Sequence, residues 1–450
     1  MNNQMIPIGK LFEIEKGELQ STKCTPGEYD FITAAEDWKT HNKYSHECEA
    51  LIFAAAASGS LGRTHYVDGK FTTSDLCYIL SPKDEATYPL NLSFYHFVFN
   101  SLRPTLVAAT KSGTSKESIN QTNFKNYEIP YFDIELQDFW IEKLKNTLGL
   151  KDLLGGELTH QQTLLKKLRQ QILQEAIEGK LTAEWRVQNP DVEPASELLK
   201  RIAAEKAQLV RDRKIKLGKK QPASEHYNDE ISVPDVWVHP DLEDITQYIT
   251  DGTHQTPNYT VSGRIFLSAQ NVKPFRFMPE NHRFVSESAY ENYIKNKSVE
   301  KDDLLIGRVG AGIGETAVVD IDIECAIYVS LGLVKTFKKH TNSDYLAIVF
   351  NSPYGIRYSK GNISSGGGSA GNFNLGRIRS FKIPLPSRDE QKAIVTKVEK
   401  LLAFCDQLEI QITQNQAHAE HLMQAVLKEA FSHDSEADSP LAELKAAAHA

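Results

Sequence analysis

The chain carries its own duplicate, which limits it to folds made of two related halves. A shift of 254 residues brings Gly113, Ser115, Asn120, Ile129, Pro130, Gln137, Lys143 and Leu148 onto Gly367, Ser369, Asn374, Ile383, Pro384, Gln391, Lys397 and Leu402. Without a gap, the same shift carries Gln162, Leu168, Gln170, Leu173, Glu175 and Ala176 onto Gln416, Leu422, Gln424, Leu427, Glu429 and Ala430. Upstream the shift becomes 251, where Phe97–Ser101 meets Ile348–Ser352. Further up, Leu51-Ile52 with Gly59-Ser-Leu-Gly62 resembles Leu305-Ile306 with Ala311-Gly-Ile-Gly314. The period far exceeds the roughly 20–50 residues of a solenoid repeat, so it describes two large halves.

Each half reads as an α+β globular part followed by a long helix. Apolar runs at Tyr29–Thr33, Leu51–Ala55, Leu76–Leu80 and Phe94–Phe99 are strands or short helices between turn signals. Gly263–Ala269, Asp303–Gly307, Thr316–Val319 and Ile327–Phe337 repeat the pattern, and Ile363–Gly371 is a glycine-rich loop. Ser387 with Asp389 and Glu390 supplies a helix N-cap and first-turn carboxylates. From there a 4,3 spacing runs through Ile394, Val398, Leu401, Cys405, Leu408, Ile412, Asn415, Ala419, Leu422 and Val426, the seam of a coiled coil. The first copy, from about Ile134 to Ile177, places Leu144, Leu154, Leu158, Gln161, Leu165, Leu168 and Ile172 on the same seam. Gly149, Gly155 and Gly156 predict a bend in its middle. Gln161 and Asn415 occupy matching positions, either as register-setting amides or as surface amides where the seam opens. Residues 186–235 connect the halves through a basic helix starting near Pro194. The stretch from Ser432 to Ala450 is acidic and small, a frayed tail.

With 51 Lys and Arg against 59 Asp and Glu, the net charge of −8 argues against a generic basic coat for nucleic acid, while leaving room for local basic surfaces. Met1–Leu11 has no secretory pattern, and the most apolar run, Leu51–Ala57, falls far short of the roughly 20 residues of a membrane helix. The five cysteines form no CxxC, which fits a reducing cytoplasm. No catalytic centre stands out. Gly310-Ala-Gly-Ile-Gly314 is followed by the β-type Thr316–Val319 and reads as a tight turn between strands, not a cofactor loop. Asn351-Ser-Pro-Tyr354 departs from the Asn-Pro-Pro-Tyr motif of amino-methyltransferases and reads as a helix end followed by a turn. The histidines show no metal-ligand spacing.

What remains is recognition chemistry. Amides, hydroxyls and cations on loops suit base edges and phosphates. In the first half they are Lys39, Lys43, Arg63, His65, Lys111, Ser112, Thr114 and Lys116. In the second they are Thr253, His254, Gln255, Gln270, Asn271, Lys273 and Arg308. Two similar heads on antiparallel helices would match the near-dyad of DNA and read half-sites on the order of 34 Å apart.

Three segments stand out: Phe381–Pro386 with Asp389–Ile394, Leu168–Thr182, and Val233-Pro-Asp-Val-Trp237. On these the chain resembles the specificity subunit of type I restriction–modification enzymes, with Val236 in place of that family's usual glycine. The first copy, Tyr127–Pro130 with Leu136-Gln137, is degenerate and lacks the Glu-Gln pair. The resemblance implies an α+β fold: two similar target-recognition domains joined by two long antiparallel coiled-coil helices, with a pseudo-two-fold internal repeat. The expected division is 1–133 and 236–388 for the recognition domains, 134–185 and 389–432 for the helices, 186–235 for the basic helix and linker, and 433–450 for the tail. It implies a non-catalytic DNA-reading subunit with double-stranded DNA, two methyltransferase subunits and two motor–nuclease subunits as partners. S-adenosylmethionine, ATP and Mg would belong to those partners. The alternative is a coiled-coil scaffold, or an inhibitory homologue, that binds methyltransferase subunits without reading DNA.

Overall fold

The computed structural model describes residues 4–56, 59–112, 117–222, 231–295, 297–364 and 371–431. Two compact units form: Met1–Thr159 with Thr413–Ala450, and His160–Ile412.

The first unit is built on one six-stranded sheet. Its order is Phe12–Lys16, Cys77–Pro82, His46–Ala54, Thr64–Thr73, Tyr29–Ile32 and Lys39–His41. All neighbours are antiparallel except Tyr29–Ile32 against Thr64–Thr73. Alternation puts Leu51 and Phe53 on one face, where they pack with the helix Leu92–Thr110 and with Trp140 and Ile141. Ile52 and Ala54 go to the other face with Val67 and Ile79. Phe94–Phe99, a buried apolar run of ambiguous period, is helical.

The second unit repeats the plan with its sheet divided in two. One sheet runs Thr246–Asp251, Leu331–Thr336, Leu304–Gly307, Thr316–Val318; the other Tyr259–Thr260, Arg283–Val285, Arg264–Leu267, Cys325–Ile327. Gly310–Gly314 is the turn between two antiparallel strands, and Asn351 ends the helix Ser343–Asn351.

The duplication persists as hydrogen bonds. The Gln137 carboxamide accepts from Asn91 N (2.7 Å) and donates to Pro89 O (3.0 Å) and Phe132 O (2.6 Å). Gln391 accepts from Asn342 N (2.8 Å) and donates to His340 O (3.5 Å) and Pro386 O (3.2 Å), the same three bonds one copy later. Asn100 brackets Thr64, accepting from its N–H (3.1 Å) and donating to its carbonyl (2.9 Å), as Asn351 brackets Thr316 (3.2 and 2.8 Å). Asn120 and Asn374 cap the short helices Gln121–Asn126 and Leu375–Arg379. A buried amide left without these partners would cost about 1–3 kcal/mol, so these repeated amides have a physical reason.

The long helices are Ile134–Ile177 and Arg388–Phe431. Within the second unit their segments run antiparallel. Arg169 donates to Asp406 (2.6 Å) and Glu409 (2.9 Å), while Thr182 and Arg186, further along the chain, reach Glu390 near the start of the other helix. Leu165, Ile172, Ile394, Val398, Cys405 and Ile412 are buried. Leu168 is exposed, and the neighbouring Arg169 reaches across to the other helix. Leu144 and Leu158 are buried in the first unit; Leu154, Leu408 and Leu422 are exposed, and Leu401, Gln161 and Asn415 are half-buried. The Val426 side chain, the tail beyond Phe431 and most of the glycine-rich loop lie outside the described residues.

Ile134–Ile177 is a single helical element that runs on through Gly149, Gly155 and Gly156. A Cβ at any of them would meet nothing within 4 Å. Replacing each by Ala should therefore stabilise the helix by about 0.5–1 kcal/mol, read as a rise in thermal midpoint without change in helical content.

The three segments that carry the family resemblance meet at one side chain in the second unit. The Glu390 carboxylate, 3% exposed, accepts from Thr182 Oγ1 (2.7 Å), Arg186 Nη1 (2.5 Å) and Trp237 Nε1 (2.9 Å). Gly179 turns the chain with φ +71°, and a Cβ there would meet Pro234 at 2.8 Å and Arg186 at 2.9 Å. Glu390→Ala, which strands a mostly buried guanidinium, should cost about 3–5 kcal/mol in urea denaturation. Removing the exposed carboxylate partners of Arg169 should cost about 1 kcal/mol or less.

Candidate nucleic-acid interface

In the first unit, two of the sequence-selected residues, Arg63 and His65, meet the segment Thr33–Trp38. His65, on the strand Thr64–Thr73, lies 2.9 Å from Ala35 O through Nε2 and accepts at Nδ1 from Trp38 Nε1 (3.3 Å). This pattern requires the neutral Nε2–H tautomer, and burial holds the imidazole below its ordinary pKa. Arg63 donates to Ala34 O (3.3 Å) and Ser60 Oγ (3.5 Å) and lies 3.7 Å from Glu36. His65 and Arg63 thus fasten this loop to the sheet. Lys39 and Lys43 are exposed, with no side-chain partner among the described residues. Lys111 pairs with Glu117 at 3.0 Å, and Ser112 donates to Ser118 O at 3.4 Å, at the base of a small hairpin. Thr114 and Lys116 lie outside the described residues.

Sequence reasoning passed over Trp38 and Tyr44, 38% and 42% exposed, which flank Lys39 and Lys43. Lys70 sits 4.9 Å above the Tyr44 ring. Aromatics interleaved with lysines on one loop were the available signal.

In the second unit, the strand Thr246–Asp251 delivers Asp251 to a buried position. Its Oδ2 takes Arg308 Nη1 at 2.5 Å and lies 3.1 Å from His254 Nε2. Arg308 also donates to Phe373 O (3.1 Å) and Val329 O (2.9 Å). His254 and Gln255 are exposed beyond this anchor. Thr253 is buried, its N–H donating to Ile327 O at 3.0 Å and its hydroxyl accepting from Gln255 N at 3.2 Å. Gln270 donates to Asn281 O at 3.3 Å from an exposed position, and Lys273 reaches Glu315 at 3.2 Å.

Three of the selected residues are interior. Asn271 is 0% exposed; it accepts from Ser268 N (2.8 Å) and donates to Met278 O and Asn281 O (3.0 Å each). Arg308 is 4% exposed in its ion pair, and Thr253 is 9% exposed. Their polar groups are satisfied inside the fold, where they support the loops. Arg308→Gln should leave the Asp251 carboxylate buried and short of its charge partner, costing about 3–5 kcal/mol by chemical denaturation, whereas Gln255→Ala at the exposed surface should move stability by about 0.5 kcal/mol or less.

Among the described residues, no group of three or more His, Cys, Asp or Glu side chains is placed to hold a metal ion. No helix among them is long and apolar enough to cross a membrane. The arrangement offers exposed amides, imidazole and cations on loops anchored from beneath, which can hydrogen-bond to base edges and phosphate oxygens.

The family model for the type I restriction modification DNA specificity domain matches residues 2–149 and 237–415, once in each copy of the duplication. The chain is 32% identical over 289 residues to the EcoAI specificity subunit of Escherichia coli, a match covering 56% of this chain and 42% of that protein. It is 21% identical over 440 residues to the EcoKI specificity subunit of E. coli K12, covering 96% of this chain and 82% of the relative. The match thus spans less than half of the EcoAI protein but most of the EcoKI one. Among solved structures, the HsdS subunit from Thermoanaerobacter tengcongensis shares the fold with a TM-score of 0.54 and 15% identity, covering 95% of this chain and 96% of that one. A structure from work on complex assembly and conformational transition of the type I R-M system gives 0.57 and 14%, covering 95% and 97%. With both halves matched by one family model, the chain belongs to the type I restriction–modification DNA specificity domain family.

Proposed function

We propose that the chain is the sequence-reading subunit of a type I restriction–modification complex, with each recognition domain (1–133 and 236–388) reading one half of a bipartite DNA target. The observation that carries this reading is the match of a DNA specificity model to both copies, each of which presents exposed polar loops on an internally anchored frame. The two heads differ in their exposed residues, Lys39, Lys43 and Trp38 in one, His254, Gln255 and Gln270 in the other, so the two half-sites differ. The long helices set the spacing and dock two methyltransferase subunits, and two motor–nuclease subunits complete the restriction complex. This chain performs no catalysis: S-adenosylmethionine, ATP and Mg are bound by the partners. The complex works in the cytoplasm.

Methylation-sensitive single-molecule sequencing of DNA from cells co-expressing the chain with its methyltransferase partner tests the proposal. The expected outcome is a split motif with a methyladenine in each half, lost when this chain is deleted. A stable complex that leaves no modified motif would favour the scaffold instead.

A further inference from the structure

We infer that a strip of unpaired cations on the second unit, outside the loops described above, holds the phosphate backbone of duplex DNA; the inference rests on the DNA-reading function proposed above. The strip is assembled from segments far apart in sequence. After the helix Ala195–Arg211, the chain crosses the unit as a strap in which Ile215 is buried and Lys214, Lys216 and Lys219 are exposed. Backbone bonds fix its course. Gly218 N donates to Glu243 Oε1 (3.0 Å), Arg379 Nη1 to Lys219 O (3.4 Å), and Gln221 N to Gly376 O (3.1 Å). A Cβ on Gly376 would meet Gln221 at 2.7 Å, so the strap lies directly on the helix Leu375–Arg379. That helix carries Arg377, whose carbonyl accepts from Tyr358 Oη at 2.7 Å, which brings up the helix Pro353–Gly361 with Lys360.

Charge bookkeeping singles this strip out in an acidic chain. The carboxylates beneath it are already neutralised: Asp241 by Lys220 (2.6 Å) and Lys382 (2.8 Å), Asp244 by Lys220 (2.8 Å). On the connecting helix, Lys200 and Arg201 are paired with Glu197 and Glu193. By contrast, Lys216, Lys219, Lys360 and Arg377 have no side-chain partner among the described residues, and Lys214 reaches Asp212 only at 3.9 Å. Long, exposed lysines suit phosphate oxygens as point charges and carry no base information. Continuity favours DNA over an acidic protein. The helix bearing Arg377 follows directly on Asn372–Phe373, and Phe373 is bonded through both N–H and carbonyl to Arg308, the anchor of the His254 loop. Strap and reading loop belong to one packed body.

The test uses the full chain co-purified with its methyltransferase partner, titrated by fluorescence anisotropy against a duplex carrying the methylated motif and a scrambled duplex across a salt series. The variant K214Q/K216Q/K219Q/R377Q should lose affinity for both duplexes alike, on the order of tenfold or more, and the slope of log K against log salt should fall by about 0.9 for each phosphate no longer neutralised. The methylated motif should stay unchanged, and K214R/K216R/K219R should bind as wild type. Equal affinity and slope for wild type and variant would overturn the strip alone. So would a loss confined to the cognate duplex, or release of the methyltransferase subunit in place of DNA. A wild-type complex that binds neither duplex would overturn the DNA-reading function itself, and the strip with it.

Discussion

One buried carboxylate organises the second unit. Glu390 draws together Thr182 and Arg186 from the segment that follows one long helix, Trp237 from the start of the second globular part, and the first turn of the other long helix. Burying a carboxylate is tolerable only with charge and hydrogen-bond partners, and here all three donors come from segments remote from the carboxylate in sequence. The residues from Gly179 to Trp237 must therefore return to this point, whatever path the connector takes. Gly179 supplies the backbone turn that makes room for Pro234 and Arg186.

The first copy lacks this junction. The position matching Glu390 is Leu136, which packs at the edge of the apolar core with Phe139 and Trp140. The neighbouring Gln137 keeps all three bonds of Gln391. The two copies thus share the bracket that ties each long helix to its own globular part and differ in the polar centre beside it. An apolar residue is consistent at a site without the arginine and tryptophan, since a lone buried carboxylate there would be costly. The departure of the first copy from the family pattern has a physical reason.

The long helices were legible from their spacing: Ile134–Ile177 has about the bounds that periodicity assigned, and for the other helix the capping Ser387 marked the start. The inward face was less so. Leucine marks a seam position only on average, and at Leu168 the arginine one residue on reaches across to Asp406 and Glu409. Those acids are remote in sequence, so no local pattern announces them. The same limit governed the residues selected as candidates for recognition. Asn271 and Arg308 have the composition of a solvated loop, and only the folded chain shows that their partners are carbonyls and a buried aspartate. Trp38 and Tyr44 were passed over for the converse reason: an aromatic reads as core until its surroundings leave it uncovered.

The interior polar side chains share one habit with an evolutionary consequence. Asn100, Asn351, Gln137 and Gln391 bond chiefly to peptide groups, and so does Arg308 apart from its aspartate. A peptide carbonyl or N–H is present whichever side chain the residue bears. The frame is therefore largely indifferent to the identity of the loop residues it supports. Exposed positions such as Gln255 or Lys39 can drift through many amino acids with little selective penalty from folding.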